Sequence, residues 1–167
     1  MRSFHKERAV VILTMRALRA TTPMRAGALC TAIVLAMAGI VAAASRTTWD
    51  RVYTDDQALD GGAVYQERCS VCHGPNLEGG DDAPPLVGTQ FSVVWDGRTL
   101  GDLVRRLQAR MPQDAPGSLS RDAYTNIVAF LLRRNGFPAG STTLSNDTAA
   151  LNAIRYLAVA PPHPPGD

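Results

Sequence analysis

The stretch Cys69–Asn76, CSVCHGPN, sets two thiols and an imidazole within five consecutive residues. Three chemistries use such a cluster: a disulfide or dithiol redox pair, a metal site, and covalent attachment of a haem. Thioredoxin-like C-x-x-C pairs open a helix after a strand in a βαβ setting, and no such setting surrounds this one. Zinc needs four ligands, and beyond residue 44 the chain offers Cys69, Cys72, His73 and only one further histidine, His163, in a proline-rich tail. The third cysteine, Cys30, sits inside an apolar run where a small thiol packs like any other apolar residue. The haem reading uses every residue of the motif. One helical turn presents both sulfurs to the two vinyl groups of the ring, and His73, directly after, turns its imidazole toward the iron.

C-x-x-C-H is short enough to arise by chance, so a second axial ligand is the test. Met1, Met15, Met24 and Met37 lie near the start of the chain, which leaves Met111 as the one methionine after residue 44. It heads the segment RMPQDAPGSLS, where two prolines and a glycine favour a stiff loop over helix or strand. A buried methionine is usually core filling. At the head of a polar, proline-rich loop it is placed instead as a sixth ligand, opposite His73.

The flanking segments read as helices. Residues 56–68 form one, capped near Asp55 or Asp56 and running into the motif, and the pair Gly61-Gly62 inside it implies a close crossing by another helix. Thr99–Asp102 has the form of a capping box, followed by an apolar face of Leu100, Leu103, Val104 and Leu107 as far as Arg110. A last strong helix starts at Ser120, carries Tyr124, Ile127, Val128, Phe130 and Leu131 at helical spacing, and stops at Asn135-Gly136. No segment alternates convincingly, so the expected class is all-α.

With these elements in this order, the chain resembles the class I c-type cytochromes: a small fold of helices wrapped around one covalently bound haem. The family places a glycine and an aromatic residue before the haem motif, matched by Gly62 and Tyr65, and packs that helix across the last one, where Ile127 and Phe130 match. Its Pro-x-Leu-x-Gly segment is matched by Pro84, Leu86 and Gly88, and the resemblance implies that the Pro84 carbonyl accepts a hydrogen bond from His73. The likeness covers roughly residues 57–137. The run from Val93 to Gly140 is similar, more narrowly, to cytochrome domains and small cytochrome partners of quinoprotein (PQQ-dependent) alcohol dehydrogenases. That resemblance implies that Trp95 lies near the haem and that Arg98 pairs with a propionate, against the plainer readings of Trp95 as core and Arg98 as a solvated charge.

Arg2, Lys6, Arg8, Arg16, Arg19 and Arg25 precede the apolar run 28–44, and Ala42 and Ala44 supply the small-residue pattern of a signal-peptidase cut before Ser45. Residues 1–44 are therefore expected to be a signal peptide or, uncleaved, an N-terminal membrane anchor through residues 28–44 that leaves the rest in the periplasm. Residues 45–56 are expected as a linker, 57–140 as the cytochrome domain, and 141–167 as an extension with a short helix, capped by Asn146, and a disordered proline-rich tail. Beyond residue 44 eleven arginines face fourteen acidic residues and no lysine remains, a balance unsuited to nucleic acid. Leu151, Ile154 and Leu157 are expected to face the domain, and His163 to face solvent.

His and Met ligation closes the iron to oxygen and peroxide, so an electron carrier is expected rather than an enzyme, working from a quinoprotein-type dehydrogenase toward an oxidase or a second cytochrome of a respiratory chain. Docking would then be mainly apolar or steered by Arg105, Arg106 and Arg110. Two alternatives stand beside this: an obligate cytochrome subunit of a dehydrogenase complex, and a haem sensor or peroxidase-like enzyme from which Met111 dissociates.

Overall fold

The computed structural model describes residues 46–81 and 83–162. The expected signal or anchor segment, Cys30 and His163 lie outside the described residues. In chain order the elements are β1 (Arg46–Thr47), α1 (Asp55–Arg68), α2 (Ser70–His73), α3 (Gly88–Trp95), α4 (Leu100–Arg110), α5 (Arg121–Arg134), α6 (Thr148–Asn152) and β2 (Ile154–Arg155). Apart from the two-residue strands, the regular structure of the described residues is helical, as a small all-α cytochrome c fold requires.

The central packing is α1 across α5. A Cβ on Gly61 would lie 1.8 Å from the Asn126 carbonyl oxygen, and one on Gly62 would meet the Phe130 ring at 3.1 Å. No other residue lets the two backbones approach so closely. Tyr65, one turn on, sets its ring 5.2 Å from that of Phe130. Tyr65, Tyr124, Ile127, Val128 and Leu131 are all buried along this seam.

Helix ends follow local chemistry. α1 is capped by Thr54, whose hydroxyl accepts from the Gln57 amide at 3.2 Å, not by Asp55 or Asp56 as the sequence suggested. Those two carboxylates instead occupy the first turn, where they complement the helix dipole. The Thr99–Asp102 capping box forms in full, and Arg105 pairs with Asp102. That partner and the Thr99 amide and hydroxyl hold the Asp102 carboxyl down to about 2. Ser120 caps α5, with its hydroxyl accepting from the Ala123 amide, and Asn135 ends it. α3 carries no sequence signal: Val87 offers no side-chain cap, and Thr89, Val93 and Val94 are poor helix formers.

Residues 46–53 are not a linker. β1 pairs in parallel with β2, Arg46 opposite Ile154, and Thr48, Val52 and Tyr53 are buried. The Tyr53 hydroxyl donates to the Phe137 carbonyl at 2.7 Å, and Gln57 exchanges two hydrogen bonds with the backbone of Leu144. The extension likewise belongs to the core. Leu151, Ile154 and Tyr156 are buried, Leu157 is half-buried, and the short helix is capped by Asp147 rather than Asn146. Trp49, Phe137, Tyr156 and Phe91 stack edge to face in succession and fasten both ends of the described chain to α3.

The Gly61 contact yields a direct test. Gly61→Ala should cost about 3 kcal/mol or more in denaturant unfolding, because neither backbone can retreat, whereas Gly62→Ala meets only a ring edge and should cost far less. Equal stability of the two variants would contradict the crossing.

Candidate functional site

α1 delivers the motif. The Cys69 amide continues the helix to Tyr65, and α2 carries Cys72 and His73 through one further turn. Both thiols are free, Cys69 half-buried and Cys72 exposed. Burial pushes the Cys69 thiol up to about 11; Arg68 opposes this and Cys72 adds to it. Among the described residues no three His, Cys, Asp or Glu side chains gather into a metal cluster.

His73 is buried and its Nδ1 lies 2.9 Å from the Pro84 carbonyl oxygen. A carbonyl only accepts, so Nδ1 carries the proton and the lone pair resides on Nε2, the tautomer an axial ligand needs. The turn beneath is fixed by the Tyr65 hydroxyl donating to the Gly74 carbonyl at 2.7 Å and by the Gly79 amide donating to that of His73 at 2.8 Å. Burial, followed by Cys69 and Glu78, pushes the Tyr65 phenol up to about 12, so it remains a donor.

Met111 is the C-terminal cap of α4 and half-buried. Its carbonyl accepts from the buried Tyr124 hydroxyl of α5 at 2.7 Å, which pins the head of the 111–119 loop to the same helix that α1 crosses.

These residues border one cavity of about 700 Å³. Cys69, Cys72, His73, Pro84, Leu86, Trp95 and Met111 all line it, so seven of the eight residues singled out from the sequence come together. Arg98 does not. It is exposed, its guanidinium stands 5.9 Å from the centre of the Trp95 ring, and its backbone carbonyl accepts from Tyr156. The cations in the wall are Arg68 and Arg106 instead. The sequence reading also left Phe91, Leu103, Leu107, Ile127 and Leu131 unassigned to the site; they form its apolar wall. Leu103 and Leu107 were visible as one helix face, but only the fold shows which face borders the cavity. A large apolar space with an imidazole, a thioether and two thiols at its edge fits a haem.

The chain is similar to known proteins. Residues 56–131 match the family described as cytochrome c oxidase, cbb3-type, subunit III. A curated relative, the cytochrome bc1 complex cytochrome c subunit of Corynebacterium efficiens, is 33% identical over 137 residues, covering 78% of this chain and 45% of the relative. The chain thus spans less than half the length of that relative. A solved structure, the sulfane dehydrogenase SoxCD from Paracoccus pantotrophus, is similar at 28% identity over 53% of this chain and 52% of that one, with a TM-score of 0.38. Residues 56–131 therefore belong to the cytochrome c family. The cofactor that this family implies is haem c.

Tyr124→Phe should lower stability by about 1 kcal/mol and speed amide exchange across residues 111–119, leaving α1 unchanged. Unaltered exchange in that loop would show that the Tyr124 bond does not anchor it.

Proposed function

We propose that this chain is a periplasmic mono-haem cytochrome c that carries single electrons between redox proteins. In this reading Cys69 and Cys72 hold the ring by thioether bonds, and His73 and Met111 are its axial ligands. The observation that carries it is the meeting of His73, already in the right tautomer through Pro84, with Met111 at a single cavity. Haem c supplies a one-electron couple, and a methionine ligand and burial raise its potential.

The chain's own residues do the rest. Pro84 orients the imidazole, Tyr124 holds the Met111 backbone, and Phe91, Leu103, Ile127 and Leu131 exclude water. Arg68 and Arg106 are suited to balance the two carboxylates of the ring. With His73 and Met111 both ligating the iron, oxygen and peroxide would have no site. At the cavity rim Val71 is 87% and Val94 53% exposed, which favours an apolar docking face over one steered by charge alone.

The donor proposed from the sequence is a quinoprotein-type dehydrogenase, and the acceptor an oxidase or second cytochrome of a respiratory chain. A second reading is a permanent cytochrome subunit of a membrane redox complex. It is favoured by the relative named as a bc1 complex subunit and by the family named for an oxidase subunit. Export through residues 1–44, cleaved or retained as an anchor, serves either reading.

The exported protein should show, when oxidised, the weak band at the near-infrared edge that reports methionine on ferric iron, and Met111→Ala should lose it. Ready binding of carbon monoxide by reduced wild type would instead favour a sensor or peroxidase-like role.

A further inference from the structure

The bond from His73 to Pro84 is only as well placed as Pro84, and Pro84 has little to hold it. Its side chain is exposed, and neither Pro84 nor Pro85 has an N–H to donate. The segment rests on Gly79, where a Cβ would come within 2.6 Å of the Pro85 nitrogen, but that contact is not directional.

Directional anchors come from two residues. The Leu86 amide donates to the Leu77 carbonyl at 2.9 Å. All other such bonds to residues 84–88 from outside the site are made by the side-chain amide of Asn135, among the described residues. Its Nδ2 donates to the Leu86 carbonyl at 3.0 Å and to the Leu131 carbonyl at 2.8 Å, while its Oδ1 accepts from the Gly88 amide at 3.1 Å. One planar group thus ties the last turn of α5 to Leu86 and Gly88 of the Pro-x-Leu-x-Gly segment. It also supplies the first amide of α3 with the acceptor that Val87 lacks.

We propose that Asn135 is a positioning residue for the proximal side of the site: through Leu86 and Gly88 it holds the Pro84 carbonyl against His73 Nδ1, and so sets the electron donation of His73 to the iron. This rests on the haem reading above. A looser Pro84 carbonyl draws less on the Nδ1 proton, the imidazole becomes a weaker donor, and the ferric state loses stabilisation relative to the ferrous one. The carboxamide alone combines two donors with an acceptor at this place.

The test uses the holoprotein of wild type, Asn135→Ala and Phe137→Leu. The last weakens the same end of α5 through Trp49 and Tyr156 packing and keeps the Asn135 carboxamide. Haem that stays with the wild-type chain after denaturation is scored first. Its absence would defeat the carrier reading and this inference with it. With haem present, Asn135→Ala should raise the ratio of reduced to oxidised protein several-fold at a fixed mediator potential, and Phe137→Leu should leave it unmoved. An unmoved ratio in Asn135→Ala, or an equal rise in both variants, overturns the proposal while the carrier reading stands. Should Asn135→Ala fail to assemble, hydrogen exchange in reduced wild type decides. The His73 Nδ1 proton and the Gly88 amide should open together with the Asn135 and Gly136 amides, and independent protection of the His73 proton overturns the assignment.

Discussion

Everything in this domain depends on how closely α1 can approach α5. The contact at Gly61 brings the backbone of one helix onto a carbonyl of the other. Once that crossing is set, the C-terminal end of α1 must deliver Cys69, Cys72 and His73 to one place, and α5 must present Ile127 and Leu131 to the same place. Phe130 over Gly62 and beside Tyr65 fixes the rotation of the crossing as well as its distance. Hydrophobic burial drives the two helices together, but the missing side chain decides where they meet.

Around that crossing, the segments that carry both proposed ligands are held through backbone carbonyls. Pro84 offers its carbonyl to the His73 ring, and the Met111 carbonyl is taken by Tyr124. Neither arrangement relies on a charged group, and both anchor short, proline-containing segments to helices. A carrier benefits from such a frame, since a site that holds its geometry in both oxidation states loses little energy to rearrangement when an electron arrives or leaves.

Much of this was legible from particular residues. Cys69, Cys72 and His73 point by their spacing to the attachment chemistry proposed above, Met111 stands out because no other methionine follows residue 44, and Gly61-Gly62 announces a crossing. The resemblance to class I cytochromes supplied Pro84, whose partner the structure bears out. Other features were hidden for physical reasons. α3 has no cap and is rich in β-branched residues, so only its packing makes it helical. The segment 46–53 looked like a linker because its partners, Phe137 and Leu157, lie far away in the chain. Asn135 read as a simple helix stop, and Arg98 stood open between a propionate partner and a solvated charge. Where the side chain of each turns depends on loops whose path the sequence does not reveal.

The central claim is that the cavity at the α1–α5 crossing is made for a ring tied to Cys69 and Cys72. The intact mass of the protein under denaturing conditions tests it most directly. Wild type should carry the mass of one haem through denaturation, and a variant with both Cys69→Ala and Cys72→Ala should release it. A wild-type chain that gives up its haem on denaturation, or never carries one, would contradict the account.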